Sequence, residues 1–224
     1  MSKTQHPTLT RQRPWDARVA RRLVIPFKDS WITPNHLTSV RLLIGLAAAA
    51  AFIPGTYVWS NVAALLLVLS NFADHTDGEL ARVSGKSSRI GHIYDLASDA
   101  VVTILLFIGM GVGVGAKSGA ALQYSPIVAG ATAGGAIALI FFLRMRIEAR
   151  AGKVATQQAS FGGFETEDVL YLLPIVTLCN AVAPFLVVAS ICAPLFSIWV
   201  LFDDLRTGRR QRSTATPADT RVTQ

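Results

Sequence analysis

Six long apolar runs, each about 18–20 residues, separate short stretches into which the charged residues are crowded. A run of that length crosses the hydrocarbon core of a bilayer as an α-helix, the form that satisfies its own backbone polar groups there. The 224 residues are 51% apolar, and the two cysteines, Cys179 and Cys192, lie inside apolar runs. This pattern excludes a disordered chain, a small disulfide scaffold and an ordinary soluble enzyme. The cysteines read as small hydrophobes rather than as a disulfide or a metal site. The expected fold is all-α: a polytopic membrane protein with six transmembrane helices.

Thr33 and Pro34 suit a helix start, with Thr as cap and Pro at the first helical position. The predicted spans cover about 37–54, 57–73 (continuing as helix to about 83), 91–114, 126–143, 169–183 and 185–202. The first 36 residues are polar and basic and show no cleavable signal peptide. Within them Trp15, Val19, Leu23 and Phe27 recur every fourth residue with Arg18, Arg21 and Arg22 between. That spacing predicts an amphipathic helix lying on an anionic membrane surface. After Arg206 the chain is rich in Arg, Thr and Ser, so 206–224 reads as a disordered basic tail.

Six spans place both termini on one side. Of the 21 Lys and Arg, only Lys117 falls in a loop of the opposite side. The positive-inside rule then puts both termini in the cytoplasm, in a bacterium at the inner membrane. The basic excess, +7 overall, is topological and makes no case for nucleic-acid binding. Gly109 and Gly113, Gly111 and Gly115, and Gly130 and Gly134 are each four residues apart, which lets helix backbones approach closely. They serve packing within the bundle or a homodimer; the first is slightly favoured.

The stretch 71–100 carries the chemistry. Asp74 and Asp77 fall at the inner end of the second span, Asp95 and Asp99 in the first turns of the third, where charge is costly and marks a functional candidate. At about 100° per residue, Asp74, Asp77, Gly78, Ala81 and Arg82 share an arc of roughly 140°. Gly91, Asp95 and Asp99 form a stripe on the next helix. The short loop between predicts antiparallel neighbours whose four carboxylates face one another. Four ionised carboxylates in one cleft repel unless some bind protons or divalent cations sit among them. All-oxygen ligands without a cysteine suit Mg²⁺ or Mn²⁺ rather than zinc. A pair of such ions is a known arrangement for phosphoryl chemistry.

Written out, the stretch is Asp74-x₂-Asp77-Gly78-x₂-Ala81-Arg82-x₈-Gly91-x₃-Asp95-x₃-Asp99. It resembles the signature of the CDP-alcohol phosphotransferase family of integral membrane enzymes at every defining position. Thr33-Pro34-Asn35-x-Leu37-Thr38-x-x-Arg41 also resembles the opening of that family's first span. The resemblance implies a six-helix catalytic domain over 37–205, flanked by the basic segment 1–36 and the tail 206–224. It implies transfer of a substituted phosphoryl group from a CDP-linked donor to an alcohol, with release of CMP. Asp74, Asp77, Asp95 and Asp99 would hold two divalent ions bridging the donor's diphosphate. Asp99 would also be the base that takes the proton of the attacking hydroxyl. Gly78, Ala81 and Gly91 would make room for the cytidine nucleotide. Arg82 would hold a phosphate or lock the helix pair through one of the Asp.

The size of the chain is most similar to the branch that uses CDP-diacylglycerol as donor and a small polar alcohol as acceptor. In another branch a soluble CDP-amino alcohol is the donor and diacylglycerol the acceptor. Arg144-x-Arg146-x-Glu148, at the inner end of the fourth span, resembles a pattern of members that accept polyol phosphates. Arg144 and Arg146, with Arg150 and Lys153 nearby, are candidates for an acceptor phosphate, although any span that ends in the cytoplasm gathers cations. The acidic Glu165, Glu167 and Asp168 near the start of the fifth span would instead favour an amine or a neutral polyol. His75 and His92 flank the signature and read as interface residues, or as auxiliary contacts. An ion-coupled transporter is the alternative from a different class, since intramembrane carboxylates mark those too.

Overall fold

The computed structural model describes residues 22, 24–27, 30–31, 33–86, 88–118, 124–151 and 172–214. Among these residues a single turn of 3₁₀ helix, Ile25–Phe27, precedes six α-helices. These are α1 (Pro34–Phe52), α2 (Tyr57–Ser84), α3 (Arg89–Ser118), α4 (Pro126–Ala151), α5 (Leu173–Leu178) and α6 (Val182–Thr214). Five of them, all but α5, are long and apolar enough to cross a membrane. Of the expected fifth span only the short helix α5 is described, and its inner boundary falls on residues outside the described set. Trp15, Val19 and Leu23 of the expected interfacial helix also lie outside it. At its end, Val24 is only 2% exposed and the 3₁₀ turn packs on α2.

Local chemistry explains where the helices begin and end. Pro34 occupies the first position of α1, and the His36 ring Nδ1 accepts a hydrogen bond from the Thr33 backbone N–H at 3.3 Å. Thr56 caps α2, its hydroxyl accepting from the Trp59 N–H at 3.4 Å. Gly85, at φ 66°, closes α2 in the left-handed conformation that glycine adopts without strain. The chain then turns into α3 within a few residues. The helix α6 continues to Thr214, so the beginning of the segment 206–224, expected to be disordered, is helical.

The order of helices in space differs from the simplest reading of that short turn. α1 packs against both α2 and α3, and α3 packs on α4, which packs on α6. The two carboxylate-bearing helices therefore meet chiefly through α1 instead of pairing directly as expected. Ser70 on α2 donates to the Arg41 carbonyl of α1 at 3.1 Å, and Ser39 of α1 lies 3.0 Å from the Tyr94 hydroxyl of α3. Like charges on the two acidic faces repel, and α1 carries Arg41 between them. Phe52, Leu67, Leu106, Phe107, Met110 and Leu186 form the centre of the core. A smaller cluster of Ile140, Leu143, Ile147 and Val200 joins α4 to α6.

Candidate active site

The site forms where the ends of α1, α2 and α3 converge. One carboxylate oxygen from each of Asp74, Asp95 and Asp99 lies within 4.8 Å of the others. Their side chains are 41%, 34% and 43% exposed, so the cluster opens to an approaching ligand. Asp77 stands apart from this trio. It is 5% exposed, and its Oδ2 accepts from the Thr38 hydroxyl of α1 at 2.9 Å. The structure thus gathers three of the four expected carboxylates and anchors the fourth to α1 beside them.

Arg41 fills the centre of the trio. Its side chain is 5% exposed. Nη1 pairs with Asp74 and lies 2.7 Å from Asp99 Oδ1, while Nη2 lies 2.7 Å from Asp95 Oδ1 and 3.3 Å from the Asp95 carbonyl. One guanidinium cannot balance three carboxylates, and the cleft keeps an excess of negative charge. The donor set is carboxylate oxygen throughout, the chemistry that hard divalent ions prefer. The Arg41 guanidinium lies among these oxygens, so a positive charge already stands within the cluster. The residues therefore fit the expected ions. Sequence reasoning assigned no role to Arg41 or Thr38. The signal available was an arginine inside an otherwise apolar helix.

The remaining candidates separate. Gly78 faces open space, and a side chain there would meet nothing within 4 Å. Ala81 is half-buried. At Gly91 a Cβ would come within 2.7 Å of Asn35 Oδ1, so the room left by glycine is used by the Asn35 side chain. Among the described residues Arg82 pairs with no Asp. It bonds Glu79, three residues earlier on its own helix, at 2.5 Å, and is 70% exposed. Arg144 lies over the Phe196 ring at 5.7 Å, and Arg146 Nε is 3.7 Å from Asp204 Oδ2, so both contact α6. His92 is exposed, while the His75 side chain lies outside the described set, as do the side chains of Glu148 and Arg150 and residues 152–171.

Long apolar helices around an acidic cleft define a polytopic membrane protein whose one end is built to receive positive charge. A sequence profile of CDP-alcohol phosphatidyltransferases matches residues 31–205, and the chain belongs to that family of transferases. It is 28% identical over 141 residues to the bifunctional IPC transferase and DIPP synthase of Rubrobacter xylanophilus, covering 63% of this chain and 30% of that protein. It is 35% identical over 83 residues to the archaetidylinositol phosphate synthase of Pyrococcus horikoshii, covering 37% of this chain and 42% of that one. These matches span less than half the length of either relative. In fold it is similar to the phosphatidylinositol phosphate synthase of Mycobacterium tuberculosis solved with manganese and citrate. That similarity has a TM-score of 0.59 at 19% identity and covers 86% of this chain and 88% of the other. The same enzyme solved with CDP-DAG gives a TM-score of 0.56 at 18% identity, over 87% and 92% of the two chains.

Proposed function

We propose that this protein transfers the phosphatidyl group of CDP-diacylglycerol to the hydroxyl of a small polar alcohol or polyol phosphate and releases CMP. The reaction would take place at the cytosolic face of a bacterial inner membrane. The observation that carries the reading is the convergence of Asp74, Asp95 and Asp99 at one end of an apolar bundle, in a chain of this family. Relatives named for inositol-phosphate lipids, and a similar fold crystallised with manganese and with CDP-DAG, support the donor and the ion.

Two divalent ions, Mg²⁺ or Mn²⁺, held by Asp74, Asp77, Asp95 and Asp99, would neutralise the donor's diphosphate and stabilise the departing CMP. Thr38 tethers Asp77 through its Oδ2, beside the other three. Gly78 and Ala81 leave space beside α2 for the cytidine, and the exposed Arg82 favours a phosphate contact over the helix lock. Asp99 receives the proton of the acceptor hydroxyl as that oxygen bonds to the phosphatidyl phosphorus. The phosphorus–oxygen bond to CMP breaks, and its electron pair leaves with the nucleotide. Arg144 and Arg146 would hold the acceptor's phosphate if the acceptor carries one, exchanging their α6 contacts for it.

The test is CMP release by the purified protein from CDP-diacylglycerol, with Mg²⁺ or Mn²⁺ and a panel of glycerol 3-phosphate, inositol phosphate, serine and unphosphorylated polyols. The expected outcome is release with one acceptor class, lost in EDTA and restored by either ion. Release from CDP-choline with diacylglycerol instead would move the protein to the other branch. No release from either donor would sink the enzymatic reading.

A further inference from the structure

We propose that Arg41 is the internal counter-cation of the carboxylate site: it holds Asp74, Asp95 and Asp99 together in the metal-free protein and competes directly with divalent ions for them. The inference rests on the ion-binding reading above. Its warrant is geometric. A single guanidinium reaches all three carboxylates, through Nη1 to Asp74 and Asp99 and through Nη2 to Asp95. It does so from the third helix of the site, α1, which packs on both of the others. Its backbone is fixed from the other side, where Ser70 donates to the Arg41 carbonyl.

Two opposed consequences follow for any ion that binds the same oxygens. A preformed cluster of carboxylates lowers the cost of assembling ligands. A guanidinium already on those oxygens must leave them before they can ligate, and repels the incoming ion. Three direct contacts make the second effect the larger. With ions bound, the guanidinium would have to leave these oxygens, and Arg41, whose side chain is buried, would remain beside the site as a cation available to an anion of the substrate. Arg41 is thus a positioning residue for the metal site in addition to being part of its framework.

The discriminating measurement is Mn²⁺ binding to the full-length protein in detergent, read from the spin-resonance signal of free Mn²⁺ and independent of turnover. Arg41→Gln is expected to lower the Mn²⁺ concentration for half-saturation, on the order of tenfold. It is also expected to lower the unfolding temperature in EDTA much more than in saturating Mn²⁺. A purely structural arginine gives the opposite sign, with weaker Mn²⁺ binding and equal thermal losses in both conditions, and that result overturns the inference. Arg41→Lys keeps the charge but loses the two-pronged contact, and should fall between wild type and Arg41→Gln. It carries the comparison if the glutamine variant does not fold. If the wild-type protein binds no Mn²⁺ at all, the ion-binding reading falls and this inference falls with it. If it binds Mn²⁺ with an affinity that Arg41 does not alter, only the inference falls.

Discussion

The four signature aspartates have different surroundings, and their expected roles divide accordingly. Asp77 is buried and tied to Thr38, suited to holding a ligand in place and poorly suited to exchanging a proton with a bound alcohol. Asp99 is 43% exposed, much as Asp74 is at 41%, so a hydroxyl can reach it. Replacing Asp99 by Asn preserves shape and removes the basic oxygen. Turnover is expected to fall on the order of 10²–10⁴-fold, with binding of the CDP-linked donor, measured by calorimetry, largely intact. Unchanged turnover would remove Asp99 from the base role. The sequence made these aspartates legible because charge in an apolar helix is costly and their spacing placed them on common faces. It did not reveal Arg41 as their partner, because a lone arginine in an apolar run does not say which of four carboxylates it meets. That depends on α1 lying between α2 and α3, a fact of helix order in space.

Helix spacing of small residues was equally visible, but its use depends on what each glycine faces. A Cβ on Gly109 would run into the Ala49 carbonyl of α1, one on Gly113 into the Phe52 carbonyl, and one on Gly130 into the Phe107 carbonyl of α3. The obstructing atoms are main-chain, which cannot move aside as a side chain does. These glycines therefore serve close approach of α1, α3 and α4 within one chain, the reading slightly favoured over a homodimer. Gly130→Ala is expected to destabilise the protein by about 1–3 kcal/mol. Gly135→Ala, five residues along the same helix with nothing within 4 Å of the added carbon, should be neutral or stabilising by up to about 1 kcal/mol. Unfolding in detergent distinguishes the two. Equal behaviour of the pair, or loss of a dimer without loss of monomer stability in Gly130→Ala, would assign the glycines to contacts between chains. The turn at Gly85 illustrates the opposite limit. Its brevity was plain in the sequence, yet a short turn fixes only that two helices run antiparallel, and leaves room for a third to settle between them.

For the whole molecule, the proposed six-span topology puts the acidic cleft and the basic residues at one end. The carboxylates sit where α2 ends and α3 begins, and in that topology 20 of the 21 Lys and Arg would belong to the side of the termini. The exception, Lys117 at the end of α3, donates from Nζ to Asn180 Oδ1 at 3.1 Å, at the opposite end of the bundle. Cys179 adjoins that residue in the turn after α5 and is exposed, whereas Cys192, also exposed, lies within α6 and is expected to face lipid. The charge asymmetry predicts that the end bearing Cys179 faces outward. A membrane-impermeant maleimide applied to intact spheroplasts should then label the protein once, at Cys179, with the label lost in Cys179→Ala and no second site gained until the bilayer is dissolved. Labelling of Cys179 only after the membrane is broken would invert the molecule. The consequence reaches the chemistry, because a charged nucleotide does not cross hydrocarbon unaided. A cleft facing outward would leave CMP on the side away from the cytosol, and the proposed transfer requires the cytosolic side.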